Sequence, residues 1–83
     1  MTPHRFQSGF HANRIARFER LRLGDDSIRW TSFQHGRERA FYIVRDGKDG
    51  PEYWVSHNDG FTPSAELSAA LPSPPLARQY EGR

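Results

Sequence analysis

Apolar residues recur along this chain at changing intervals, and the changes divide it into parts. Between Arg17 and His57 short runs rich in aromatic and β-branched residues are punctuated by turn formers at Gly24-Asp25-Asp26-Ser27, His35-Gly36 and Asp46 through Pro51. This spacing predicts strands near 17–23, 28–34, 38–45 and 52–57, joined as successive hairpins. The fold class read from it is α+β, a small antiparallel β-meander of three to four strands with a short C-terminal helix near 63–71 on one face.

Hairpin loops fix which residues stand opposite one another, and opposite residues share a face. A two-residue His35-Gly36 turn pairs Gln34 with Arg37 and sets Trp30 against Phe41 and Ile28 against Ile43. Closing the following loop at Arg45 and Glu52 sets Ile43 against Trp54, and closing the preceding one at Leu23 and Ile28 sets Leu21 against Trp30. The three loops agree on one apolar face of Leu21, Leu23, Ile28, Trp30, Phe41, Ile43 and Trp54.

Helical spacing is found after the meander. Thr62 offers an N-cap hydroxyl, Pro63 suits the first helical position, and Glu66 places an acid in the first turn. Leu67, Ala70 and Leu71 then follow at i, i+3 and i+4 before Pro72 ends the run, so a helix across the Trp30, Phe41 and Trp54 face is expected. The stretch Asn13 to Gly24 admits two readings. Its good helix formers, with Asn13 as N-cap and Gly24 just past the end, describe a helix. On a wheel, however, Ile15, Phe18, Leu21 and Leu23 are interleaved with Arg17, Glu19 and Arg22, and the strand is preferred for its second half.

The ends carry neither period. Residues 1–14 read as an irregular arm pinned by Phe6 or Phe10, and residues 72–83, with Pro72, Pro74 and Pro75, as an extended tail of one single domain spanning 1–83. A chain this short buries only about 60–65% of its unfolded surface, so its core depends on the eleven aromatic residues. There is no cysteine, which excludes disulfides and thiolate chemistry, and no signal-peptide or membrane-spanning run, so a cytoplasmic location without membrane attachment is expected.

Charge is uneven although the net value is only +2. Residues 1–23 hold five arginines against Glu19, giving +4, and residues 24–62 come to −2. Eleven of the twelve basic residues are arginine, which suits bidentate phosphate or carboxylate contacts, although a high-GC genome would leave the same bias.

Reactive constellations are not expected. His35, Glu38, His57 and Asp59 fall at one end of the sheet, but no H-x-H or H-E-x-x-H spacing is present, and the histidines read as solvated turn residues without a metal. Ser56 and His57 are strand neighbours pointing to opposite faces, so with Asp59 they resemble a triad in composition only. Asp25 with Asp26, and Asp46 with Asp49, are turn formers in exposed loops where nothing is expected to shift their pKa. Gly47 and Gly50 lead into a strand rather than a helix and make no phosphate cradle. The chain is accordingly read as no enzyme and as needing no cofactor.

The second sheet face is expected to hold Phe18, Phe33, Tyr42, Val44, Tyr53 and Val55 among Arg20, Arg22 and Arg29. Rings interspersed with arginine on an open sheet can stack bases and hold phosphates. The first functional expectation is a noncatalytic nucleic-acid-binding domain using Arg17, Phe18, Arg20, Arg22, Arg29, Phe33, Tyr42 and Tyr53 with the basic N-terminal segment. The alternative is a protein-interaction module or homodimer using the same face or an edge strand. A cover by the arm, the tail or a second subunit would account for the same apolar area. Were residues 14–20 helical, Arg14, Arg17 and Arg20 would form a basic ridge able to enter a major groove.

Overall fold

The computed structural model describes residues 1–70, which form α1 (Gly9–Leu23), β1 (Arg29–His35), β2 (Glu38–Gly47), β3 (Gly50–Ser56), β4 (Gly60–Pro63) and α2 (Ala65–Ala70). The expected end of the last helix at Leu71 and Pro72, and the tail beyond it, lie outside the described residues. The strands form one antiparallel sheet in the order β1-β2-β3-β4, a four-stranded meander with a helix on either face. The α+β meander with a short C-terminal helix is therefore present, but its first and last members differ from expectation.

The segment expected as a strand near 17–23 is the second half of α1, and the fourth strand is Gly60–Pro63 instead. Helix α1 begins at Ser8, whose side chain accepts from the His11 N–H at 3.4 Å, so the irregular arm stops at Ser8 and not at Arg14, and Asn13 is no cap. It ends at Gly24, which adopts the left-handed conformation at φ 65° while its N–H bonds back to the Arg20 carbonyl. Its inward stripe is made of small residues. Ala12 and Ala16 are fully buried, and a Cβ built on Gly9 would meet the Phe41 ring at 3.1 Å. Most of the bulk comes from the sheet, where Ile43, Trp30, Phe41, Trp54 and Phe61, with Phe6 of the arm, Ile28 and the half-buried Ile15 of α1 itself, complete this cluster.

The β1–β2 hairpin turns on Gly36-Arg37 and not His35-Gly36, with Gly36 at φ 62°, as a two-residue turn led by glycine requires. Trp30 consequently pairs with Ile43 and Gln34 with Arg39. The register is offset by two residues from expectation, and because side chains alternate with period two the faces are unchanged. Arg45 does pair with Glu52, reinforced by an ion pair at 2.9 Å, and Trp30, Phe41, Ile43 and Trp54 do share one face. Leu21 and Leu23 do not join them, since both are exposed on α1.

Helix α2 covers the opposite face, not the tryptophan face. Leu67 packs with Phe33, Ala40, Tyr42, Val44 and Tyr53, and the Tyr53 hydroxyl lies 3.3 Å from that of Ser68. Its cap is Ser64, whose hydroxyl accepts from the Leu67 N–H at 3.2 Å, because Thr62 and Pro63 complete β4 beside Tyr53 and Glu52. The arm is pinned by Phe6 and not by Phe10. Phe6 exchanges both backbone bonds with Phe41, and the His4 N–H donates to the Trp54 carbonyl at 2.9 Å, so the arm fills the gap where β2 and β3 part.

Candidate functional site

Of the eight residues expected to make the contact surface, the structure leaves Arg17, Phe18 and Arg22 exposed on α1, and of these Arg22 is held in an ion pair with Glu19. Tyr53 is 0% exposed, and Phe33 and Tyr42 are buried with it beneath Leu67, so none of the three rings can stack on a base. Burial pushes the Tyr53 hydroxyl above the usual tyrosine range, with the Ser68 contact and Arg29 opposing that rise. Arg20 donates to the Ile28 carbonyl at 2.8 Å, and Arg29 to the Ser27 carbonyl at 2.6 Å while meeting Asp46 at 3.2 Å. Arg22 reaches Glu19. These three arginines are occupied in holding the fold.

What the chain does expose is a row along α1. With 3.6 residues per turn, Phe10, Arg14, Arg17, Phe18 and Leu21 recur at i, i+4, i+7, i+8 and i+11 and so stand on one side, opposite Ala12 and Ala16. Phe10 is 74% exposed, Phe18 54% and Leu21 82%; among the described residues the other exposed large apolar side chains are Met1 and, at 41%, Leu23. The Arg14 guanidinium sits 6.0 Å from the centre of the Phe10 ring, and neither Arg14 nor Arg17 forms an ion pair with a described carboxylate. Phe10, Arg14 and Leu21 lie outside the set expected from the sequence. The spacing that joins them is visible there only once the segment is taken as a helix.

Beneath one end of the row lies a buried carboxylate. Glu19 is 1% exposed, and it accepts from Arg22 Nε at 2.8 Å on one oxygen and from Trp54 Nε1 at 3.2 Å on the other. His57 Nδ1 approaches the second oxygen at 3.4 Å, and the His57 ring lies 6.0 Å from that of Phe18. Glu19 thereby ties α1 to β3 and to the β3–β4 turn.

Elsewhere the polar side chains serve turns. Ser56 donates to Asp59 Oδ2 at 3.1 Å and accepts from the Asp59 N–H at 3.0 Å, while His57 turns toward Glu19, so the three form no relay. Among the described residues no three of His, Asp and Glu converge as a metal site would need. Asp25 differs from expectation: bonds from the Ser27 hydroxyl and then its N–H, with Arg45 and Arg29 nearby, hold its carboxyl below the usual range. An open depression of about 610 Å³ is lined by Arg5, Phe6, Gln7, Glu38 and Arg39, where Arg5 is paired with Glu38 at 3.4 Å and Arg39 donates to Ser32 at 3.0 Å. No described helix is long and apolar enough to cross a membrane. The chain matches no family model, and no curated protein or solved structure is significantly similar to it.

Proposed function

We propose that this chain is a noncatalytic binding module that takes a protein partner on the outer face of α1. The observation that carries this reading is the row of Phe10, Phe18 and Leu21, three large apolar side chains on one helical face that are left exposed among the described residues. A helix face with anchors at such spacing is the usual donor in helix-in-groove recognition. Large apolar side chains left exposed together on one face of a small domain mark a contact site.

The test is a selection of random displayed peptides on the immobilised domain, followed by rebinding to Phe10→Ala/Leu21→Ala. Both side chains project into solvent and alanine favours the helix, so the variant stays folded with a Tm within a few degrees of its parent's. Selected peptides should lose at least tenfold in affinity for it, about 1.4 kcal/mol. Peptides indifferent to the variant, or no enrichment at all, would remove the reading.

A nucleic-acid partner is a second reading, favoured by Arg14 and Arg17, which are exposed on the same row without an acidic partner among the described residues. It runs through the helix and not through the sheet, since Phe33, Tyr42 and Tyr53 are in the core. Affinity for single- or double-stranded probes should then fall steeply with salt, and each of Arg14→Ala and Arg17→Ala should reduce that slope by about one. Binding that is absent or indifferent to salt discards it.

A further inference from the structure

Resting on the reading of α1 as a contact surface, we infer that its partner is a foreign protein element with carboxylates at its centre and apolar positions toward its ends, and not a second copy of this chain. The order of side chains along the row decides this. Arg14 and Arg17 lie in the middle, with Phe10 about 6 Å from Arg14 on one side and Leu21 about 6 Å from Arg17 on the other at 1.5 Å rise per residue. Phe18 stands beside them. The row is thus two cations between apolar anchors.

A second copy that pairs along the whole row works against that order. Two α1 helices packed antiparallel about a twofold axis must pair identical patches reciprocally. Matching Phe10 with Leu21 of the other copy sets Arg14 against Arg17, and matching Phe10 with Phe18 sets Arg14 against Arg14. Both registers that engage Phe10 with another apolar residue of the row join arginines too. The helix carries one carboxylate that could relieve this, Glu19, and it is buried beneath the opposite face with Trp54 and Arg22.

A lipid surface and a duplex fit less well. Helices that lie in a bilayer keep basic residues along the flanks of the apolar face, where they reach the headgroups. Here both arginines share the line of the rings and would be driven toward the acyl chains. Against DNA, the same row would press Phe10 and Leu21 at its two ends toward phosphates, which apolar side chains cannot satisfy. Paired carboxylates set between apolar residues offer the arginines charge-assisted, bidentate bonds while the anchors are buried on either side.

The experiment uses the full chain, labelled for amide NMR, and a synthetic amphipathic peptide of about five turns with two central glutamates between leucines. Its controls are a twin peptide with lysine for glutamate, a DNA duplex, and vesicles containing phosphatidylserine. The glutamate peptide should shift the amides of Phe10, Phe18 and Leu21, the lysine twin should bind at least tenfold more weakly, and R14E/R17E should reverse that preference. If the same amides respond to the duplex, to the vesicles or to protein concentration alone, the acidic partner is overturned while α1 stands as the contact surface. If they respond to no probe, the contact surface falls as well.

Discussion

Replacing Glu19 by alanine tests whether a buried carboxylate holds the two halves of this fold together. The parent side chain is almost wholly enclosed and accepts from both Trp54 Nε1 and Arg22 Nε. Removing it leaves the indole N–H without its acceptor, a loss of about 1–3 kcal/mol. The Arg22 pair adds less, on the order of 1 kcal/mol at most, because the arginine side chain is 34% exposed and water screens it. Alanine's better helix propensity returns a few tenths. The net is about 1–4 kcal/mol, a large part of the roughly 4–12 kcal/mol expected for a domain this size. Urea unfolding followed by tryptophan fluorescence should report it directly, and a thermal melt should show Tm falling by on the order of 5–30 °C. Glu19→Gln, whose amide oxygen can still accept from Trp54, should cost about 1 kcal/mol. The reasoning fails if Glu19→Ala stays within about 0.5 kcal/mol of the parent, or if Glu19→Gln is as damaging as Glu19→Ala.

Two further consequences concern the loop that follows α1. Gly24→Ala meets no atom within 4 Å of its new Cβ, so its penalty is that of the left-handed backbone alone; it should cost about 1 kcal/mol in a thermal melt, and a variant as stable as its parent would refute the cap assignment. Because the Asp25 pKa is lower in the folded state than in the unfolded chain, its contribution to stability is present at neutral pH and fades as pH falls through the acid range. Asp25→Asn should therefore lower Tm by a few degrees at neutral pH and leave it unchanged once the parent carboxyl is protonated; a difference that persists in acid would assign the effect to packing.

The sheet is legible in the sequence because its signal is redundant. Misplacing the first turn by one residue moves the register by two, and alternation returns Trp30, Phe41 and Ile43 to a common face. Helix α1 is obscured because large apolar residues ordinarily mark a buried stripe, whereas Ala12 and Ala16 mark this one and sheet aromatics fill the volume. Strand β4 is obscured because Thr62 and Pro63 fit the start of a helix as well as the end of a strand, although Asp59-Gly60 is a strong hairpin signal and Gly60 takes the positive φ of 75° that glycine permits. The α2 cap moves from Thr62 to Ser64 for the same reason: Pro63, acceptable at a first helical turn, is equally acceptable at the end of an edge strand.

These corrections exchange the two covers of the sheet, and that exchange relocates the candidate site. Had residues 17–23 formed a strand, Leu21 would have been core, and the ring-rich second face would have needed a ligand to explain its apolar area. With α2 seated there, Leu67 accounts for Phe33, Tyr42 and Tyr53, and that face needs none. The unexplained apolar area is transferred to α1, which buries Ala12, Ala16 and Glu19 while Phe10, Phe18 and Leu21 face outward. Folding alone rewards the opposite arrangement, since an exposed Phe10 or Leu21 gains none of the roughly 1.5–3 kcal/mol that burial brings. On the reading proposed above, side chains left exposed among the described residues and recurring along one helical face meet a surface outside this chain, and the two arginines set between them describe the charge that surface must carry.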